Sequence, residues 1–160
     1  MERKDLLDAL VEHHLTISSM ESLTGGLFAS AFTSIPGASK AFKGSAVAYQ
    51  DKVKISFGVK KDTISKFGAI SSNTAKEMAI KASEFFQSEV AVSFTGNAGP
   101  DASEDKPVGM VFISIRVLDK LYTYQLSLKG ERDAIRKQCI DFAFQTILDK
   151  VKELPVDNNN

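Results

Sequence analysis

Ser22 stands in the run Glu21-Ser22-Leu23-Thr24-Gly25-Gly26, between a short β-like stretch at 15–20 and a helix-like stretch at 27–34. A serine on such a turn becomes a nucleophile only where a base reaches it. The glycines let backbone approach a ligand closely, and the free N–H groups of a helix start attract anions. The alternative is a plain strand-to-helix turn with Ser22 or Thr24 as its N-cap. Histidine is a poor choice of base. The only two, His13 and His14, precede the strand, and at ~3.3 Å per extended residue they lie roughly 20 Å or more from the serine. Lysine is the other familiar partner of a catalytic serine. Lys52 and Lys54 lie just past Tyr49, which ends a second β-like run at 45–49. To act as a base, a lysine needs its pKa lowered toward ~7–8 by desolvation or a nearby cation. Phe42, Phe57 and Phe94 are apolar candidates to surround Lys54. A solvated helix lysine at 54 and a strand-end aromatic at 49 remain the alternatives.

A third segment, Thr95-Gly96-Asn97-Ala98-Gly99-Pro100-Asp101, follows an apolar run at 90–94. Two glycines and a proline there give a rigid, open backbone whose N–H groups can cradle a phosphate, a sugar or a flat ring. No Gly-Lys-Ser/Thr follows, so it is not a P-loop. Asp101, Glu104 and Asp105 form an acidic cluster without histidine or regular ligand spacing, and no metal site is read from it.

Three distant segments meet only if the elements bring them together. The spacing predicts helices at 3–13, 24–34, 51–57 and 61–67. It also predicts an amphipathic helix from 71–73, with Ala75, Met78, Ala79, Ala82, Phe85 and Phe86 on one face. Strands are predicted at 15–20, 45–49 and 90–94, and a hairpin at 108–118 and 121–128 turning on Asp119-Lys120. A last helix at 131–153 turns Ile135, Cys139, Phe142, Ala143 and Ile147 inward. The implied fold is a single α/β domain at 1–154 with three α/β/α layers. Its mostly parallel sheet has about five strands and ends in an antiparallel hairpin, and residues 155–160 form a disordered tail. Right-handed crossovers make the first three strands parallel, so Ser22, Tyr49 and Thr95-Gly96 share one rim, where ligands bind in open α/β folds.

Composition narrows the function. Twenty basic and twenty acidic residues cancel in 160, which leaves no electrostatic footprint for nucleic acid or an anionic membrane. The single Cys139 allows no internal disulfide and fits a reducing compartment. The opening residues do not read as a signal peptide, and no apolar run is long enough to span a bilayer. A cytoplasmic protein is the expectation.

Taken together, Glu-Ser-Leu-Thr-Gly-Gly at 21–26, Ser34-Ile35-Pro36-Gly37-Ala38-Ser39, Val47-Ala48-Tyr49 with Lys54, and Thr95-Gly96-x-Ala98-Gly99-Pro100 with Lys106-Pro107-Val108-Gly109 resemble the CinA family. The resemblance is to its C-terminal nicotinamide-nucleotide amidase domain and covers nearly the whole chain. It implies hydrolysis of the carboxamide of nicotinamide mononucleotide to nicotinate mononucleotide and ammonia, without cofactor or metal. The roles it implies are Ser22 as nucleophile with Lys54 and Tyr49 assisting. Thr24, Gly25 and Gly26, or Thr95, Gly96, Asn97, Ala98 and Gly99, would then bind phosphate and ribose, with Arg132 and Arg136 as further phosphate candidates. Asn97 and the Gln50-Asp51-Lys52 run depart from the family pattern beside the presumed pocket, where they bear on substrate choice. Two other functions are carried: a catalytically weak nucleotide-binding regulatory module, and an amidase for another small amide. The association state is left open, a homodimer or higher homo-oligomer included.

Overall fold

The structure, a computed structural model, describes residues 1–156. Its helices are α1 (Arg3–Glu12), α2 (Leu27–Thr33), α3 (Asp51–Ser56), α4 (Lys61–Phe67), α5 (Ser72–Phe86) and α6 (Arg132–Lys152). Its strands are β1 (Ile17–Glu21), β2 (Phe42–Val47), β3 (Val90–Gly96), β4 (Met110–Val117) and β5 (Lys120–Ser127), and a 3-10 turn occupies Ala38–Lys40.

Strand alternation sets the layers. On β3, Val90, Val92 and Phe94 pack into the apolar cluster that holds residues of α1, α2 and α6. The rings of Phe28, Phe32 and Phe144 meet there, and Phe94 lies 5.7 Å from Phe28. The intervening residues, Ala91, Ser93 and Thr95, are small and face α5. Ala91 packs with Met20, Met78 and Ala82, while Ser93 Oγ donates to the Ala75 carbonyl at 2.6 Å. Helix α5 starts where the sequence indicates, with Ser71 accepting from the Thr74 N–H at 3.1 Å.

The five strands run in the order β2-β1-β3-β4-β5. β1 is parallel to both β2 and β3, with Glu21 opposite Val47 and Phe94. β3–β4 and β4–β5 are antiparallel, so the sheet is mixed: three parallel strands followed by the antiparallel hairpin, with β4 alone running against the rest. The first crossover leaves β1 through α2 on one face. The second returns from β2 to β3 with α5 on the other. The chain thus reverses direction across the sheet between β1 and β3, and the crevice beyond their carboxyl ends is the ligand position of such folds.

Several local expectations are corrected. β2 runs from Phe42 to Val47 rather than from Ser45 to Tyr49, so Tyr49 lies in the connection beyond the strand. Phe85 is 65% exposed and packs its ring on Phe57 and Phe86 instead of entering the core. Phe142 is half-buried against Tyr124. His13 bonds the carbonyls of Ala9 and Leu154, tying the end of α1 to the end of α6. Among the described residues no helix is long and apolar enough to cross a membrane. The tail read at 155–160 lies, from 157 onward, outside the described residues.

Candidate active site

Ser22 is the first residue after β1. Its N–H continues the ladder to the Phe94 carbonyl at 2.9 Å, and its own carbonyl closes a turn with the Gly25 N–H at 3.0 Å. Gly25 (φ +55°) and Gly26 (φ +96°) carry the chain through left-handed backbone into α2, a conformation that favours glycine. Neither Ser22 nor Thr24 caps the helix. The N-cap residue, Gly26, has no side chain to offer, and the first N–H groups of the helix are met instead by Glu21, fully buried at the end of β1. Its carboxylate accepts from the Phe28 and Ala29 N–H groups at 3.0 Å each, and from Ser19 Oγ at 3.0 Å and Ser45 Oγ at 3.1 Å. Sequence reading passed over this role. The available signal was a lone carboxylate at the end of a β-like run.

Lys54 lies on α3, whose N-cap is Gln50. One helical turn folds its side chain back onto the rim. Nζ donates to Ser22 Oγ at 3.0 Å and to the Tyr49 carbonyl at 2.9 Å. The lysine is 1% exposed, and among the described residues it has no carboxylate at ion-pair distance. Burial pushes its pKa below the ordinary lysine range, and Asp51 and Glu104 partly oppose this through their charge. Phe42 and Phe94 belong to the cluster beneath α2 and α6, and of the three aromatics suggested for Lys54 only Phe57 packs on the α5 side. Tyr49 meets the pair with its main chain. Its side chain is 57% exposed, and its phenol accepts from Arg132 Nη2 at 3.2 Å.

The third segment is held by its own side chains. Asn97 accepts from the Ser103 N–H and Oγ and donates to the carbonyls of Ser103 and Lys106. Its amide is thus committed to closing the loop. Thr95 Oγ1 donates to the Ala69 carbonyl at 2.8 Å. Glycine at 96 answers to the neighbouring strand: a Cβ would lie 2.6 Å from the Met110 carbonyl oxygen and 2.8 Å from Val111 Cα. Glu104 reaches from the same loop to the N–H groups of Ala69 and Ile70 at 2.9 and 3.0 Å.

These segments enclose a cavity of about 250 Å³ lined by Ser22, Tyr49, Lys54, Thr95 to Gly99, and Arg132, together with Asp51, Asp101 and Glu104. A shallower groove of about 540 Å³ adjoins it past Ala98, Gly99 and Arg132. Arg132 spans the mouth, with Nη1 donating to the Gly99 carbonyl at 2.6 Å. Thr24, Gly25, Gly26 and Arg136 do not line the cavity. Arg136 is engaged by the Leu23 and Thr24 carbonyls and by Asp133. Thr24 is buried, and its hydroxyl has no partner among the described residues. Cys139 is buried, and desolvation pushes its thiol up to about 12, so it is no rival nucleophile. Among the described residues no group of three or more His, Cys, Asp or Glu is arranged to hold a metal.

The family model of the CinA C-terminal domain matches residues 2–151. The chain belongs to the CinA family. A CinA-like protein of Petrotoga mobilis is 43% identical over 150 residues, 92% of this chain and 37% of that protein. A CinA-like protein of Fervidobacterium nodosum is 44% identical over 142 residues, 88% of this chain and 35% of that one. The chain therefore spans about a third of the length of these CinA relatives. Among solved structures, the competence/damage inducible protein CihA of Agrobacterium tumefaciens superposes with a TM-score of 0.87 at 32% identity, covering 94% of this chain and 92% of that one. A CinA superfamily protein of Klebsiella pneumoniae reaches 0.93 at 23% identity, with 95% and 96% covered, and speaks to the fold alone.

Proposed function

We propose that this CinA domain is a serine amidase that hydrolyses the carboxamide of nicotinamide mononucleotide, in pyridine-nucleotide salvage. The observation that carries the reading is the 3.0 Å contact between Ser22 Oγ and the buried Lys54 Nζ. With Lys54 neutral, one of its N–H groups stays on the Tyr49 carbonyl and its lone pair faces the Ser22 hydroxyl. Ser22 Oγ attacks the amide carbon as its proton passes to Lys54. The hydrogen bonds of the 22–27 turn use the N–H groups of Ser22, Gly25 and Leu27; of the other three residues, Leu23, Thr24 and Gly26, only Leu23 lines the cavity, and its N–H is assigned to the oxyanion. Such a donor is worth about 3 kcal/mol of barrier in other acyl-transfer enzymes. Lys54 then returns its proton to the departing ammonia. Water attacks the acyl-enzyme, giving one proton to Lys54, which passes it to Ser22 as the acid leaves; the acid loses its remaining proton to solvent as the carboxylate. Ribose and phosphate are assigned to the loop from Thr95 to Gly99 and to Arg132 at the mouth.

The test is ammonia release from nicotinamide mononucleotide, with plain nicotinamide and unrelated small amides alongside. Wild-type protein is expected to release ammonia from the mononucleotide. A folded Ser22→Ala protein should lose at least about a thousandfold in rate, the scale of losing a nucleophile and its base. Full turnover by that variant removes the nucleophile assignment. Turnover of other amides only would replace the substrate.

A further inference from the structure

The cavity is acidic. Asp51 comes from the first turn of α3, and Asp101 and Glu104 come from the loop after β3. Glu104 is occupied by the Ala69 and Ile70 amides and by Lys106. Asp51 and Asp101 are exposed, and among the described residues neither is ion-paired. Among the described residues lining the cavity, Arg132 is the one cation besides Lys54. The carboxylates alone would not locate a ligand; the Ser22–Lys54 pair does. A reacting carbonyl carbon must come within about 3 Å of Ser22 Oγ, and that oxygen is 3.0 Å from Lys54 Nζ. The ring bearing the carboxamide is therefore held beside the ammonium, within the same walls as the three carboxylates.

Resting on the amidase reading, we propose that the cavity selects a permanently cationic ring, an N-substituted pyridinium carboxamide, and that the ring's charge drives the proton off Lys54. The charged groups around Lys54 make the argument. Asp51 on its own helix and Glu104 on the loop both favour its protonated form. Asp101, Arg132 and the Tyr49 phenol complete the cavity's titratable set. Lys52 is exposed on α3, Lys106 is bound to Glu104, and Glu21 is turned onto the α2 amides. A cationic ring screens the carboxylates and repels the ammonium together. Lys54 then gives one proton to solvent and keeps the electron pair that later accepts the proton of Ser22. An uncharged ring does neither, so Lys54 keeps its proton more readily and the ring binds more weakly.

The experiment uses Ser22→Ala protein, which binds without turnover. It is titrated with nicotinamide mononucleotide and with its 1,4-dihydro form, which keeps carboxamide, ribose and phosphate but has an uncharged ring. Calorimetry in two buffers of different ionisation enthalpy counts the protons released. The oxidised form is expected to bind at least about tenfold tighter, the scale of one screened charge pair. It should also release more protons than the dihydro form, by up to about one per site. Adding Lys54→Met should remove that excess. Equal affinity, equal proton release, or an excess that survives Lys54→Met overturns the inference. Wild-type ammonia release separates it from the amidase reading. Ammonia with equal binding sinks the inference alone. Charge-selective binding without ammonia sinks the amidase reading and leaves charge selection standing. No binding of either ring sinks both.

Discussion

Lys54 has two properties that a solvated lysine lacks: burial at 1% exposure and a hydroxyl partner 3.0 Å away. Each yields a prediction. As a base it must give up its proton, which arginine does not do. Lys54→Arg should therefore fall within about tenfold of Lys54→Ala, both losing roughly a hundredfold or more, while the exposed Lys52→Ala stays near wild type. A pH–rate series on the three variants decides this, and substantial turnover by Lys54→Arg would make position 54 an electrostatic anchor. Burial has a separate consequence for stability. With its folded-state pKa below the ordinary 10.5, native Lys54 binds fewer protons than unfolded Lys54 between the lowered value and 10.5. The cost of burying it is therefore present at neutral pH and fades as pH rises to 10.5. Compared with Lys54→Met, the wild type should gain stability from pH 7 upward. Melting both proteins across that range checks the sign, and a constant difference contradicts it.

At the scale of the element, Glu21 joins β1, β2 and the start of α2 through four accepted hydrogen bonds. Glutamine offers one acceptor oxygen and turns an NH2 toward groups that are themselves donors. Glu21→Gln should cost about 1–3 kcal/mol, the penalty of leaving buried donors unpaired; denaturant unfolding with an unchanged midpoint would refute it. Little of this was legible in advance, because a capping residue outside the turn it caps leaves no local sequence pattern. That Ser22 and Lys54 meet, by contrast, was foreshadowed by topology, with a solvated lysine as the alternative: parallel strands bring their carboxyl ends to one rim whatever the loops do. Tyr49 was half legible. Its position was read, but the group that meets the pair is its carbonyl. The start of β2 was missed because Lys43 and Gly44 break the apolar alternation that marks a strand. Gly44 is required there, since a Cβ would lie 2.6 Å from the Phe86 ring. The roles of Asp101 and Glu104 depend on a loop that Asn97 folds through Ser103, a long-range closure that no periodicity records.

For the whole molecule, twenty positive and twenty negative side chains leave no net field to draw in a polyanion. Duplex DNA should bind more weakly than about micromolar at physiological salt, where counterion release by clustered cations governs affinity. Fluorescence anisotropy across a salt series tests this, and tight, steeply salt-dependent binding would reveal a local basic face. The sheet order places the crevice, the helices on both faces close the core, and the chemistry sits where three segments meet. One of those meetings has a bearing on inheritance. Lys54 Nζ is aimed by the main-chain carbonyl of residue 49, and a codon change at that position replaces the side chain while the carbonyl stays. The aim of the lysine is thus shielded from drift at its own support, because the side chain at position 49 takes no part in it. On the amidase reading proposed above, a lineage of such domains can wander in what it accepts long before it loses the lysine's aim.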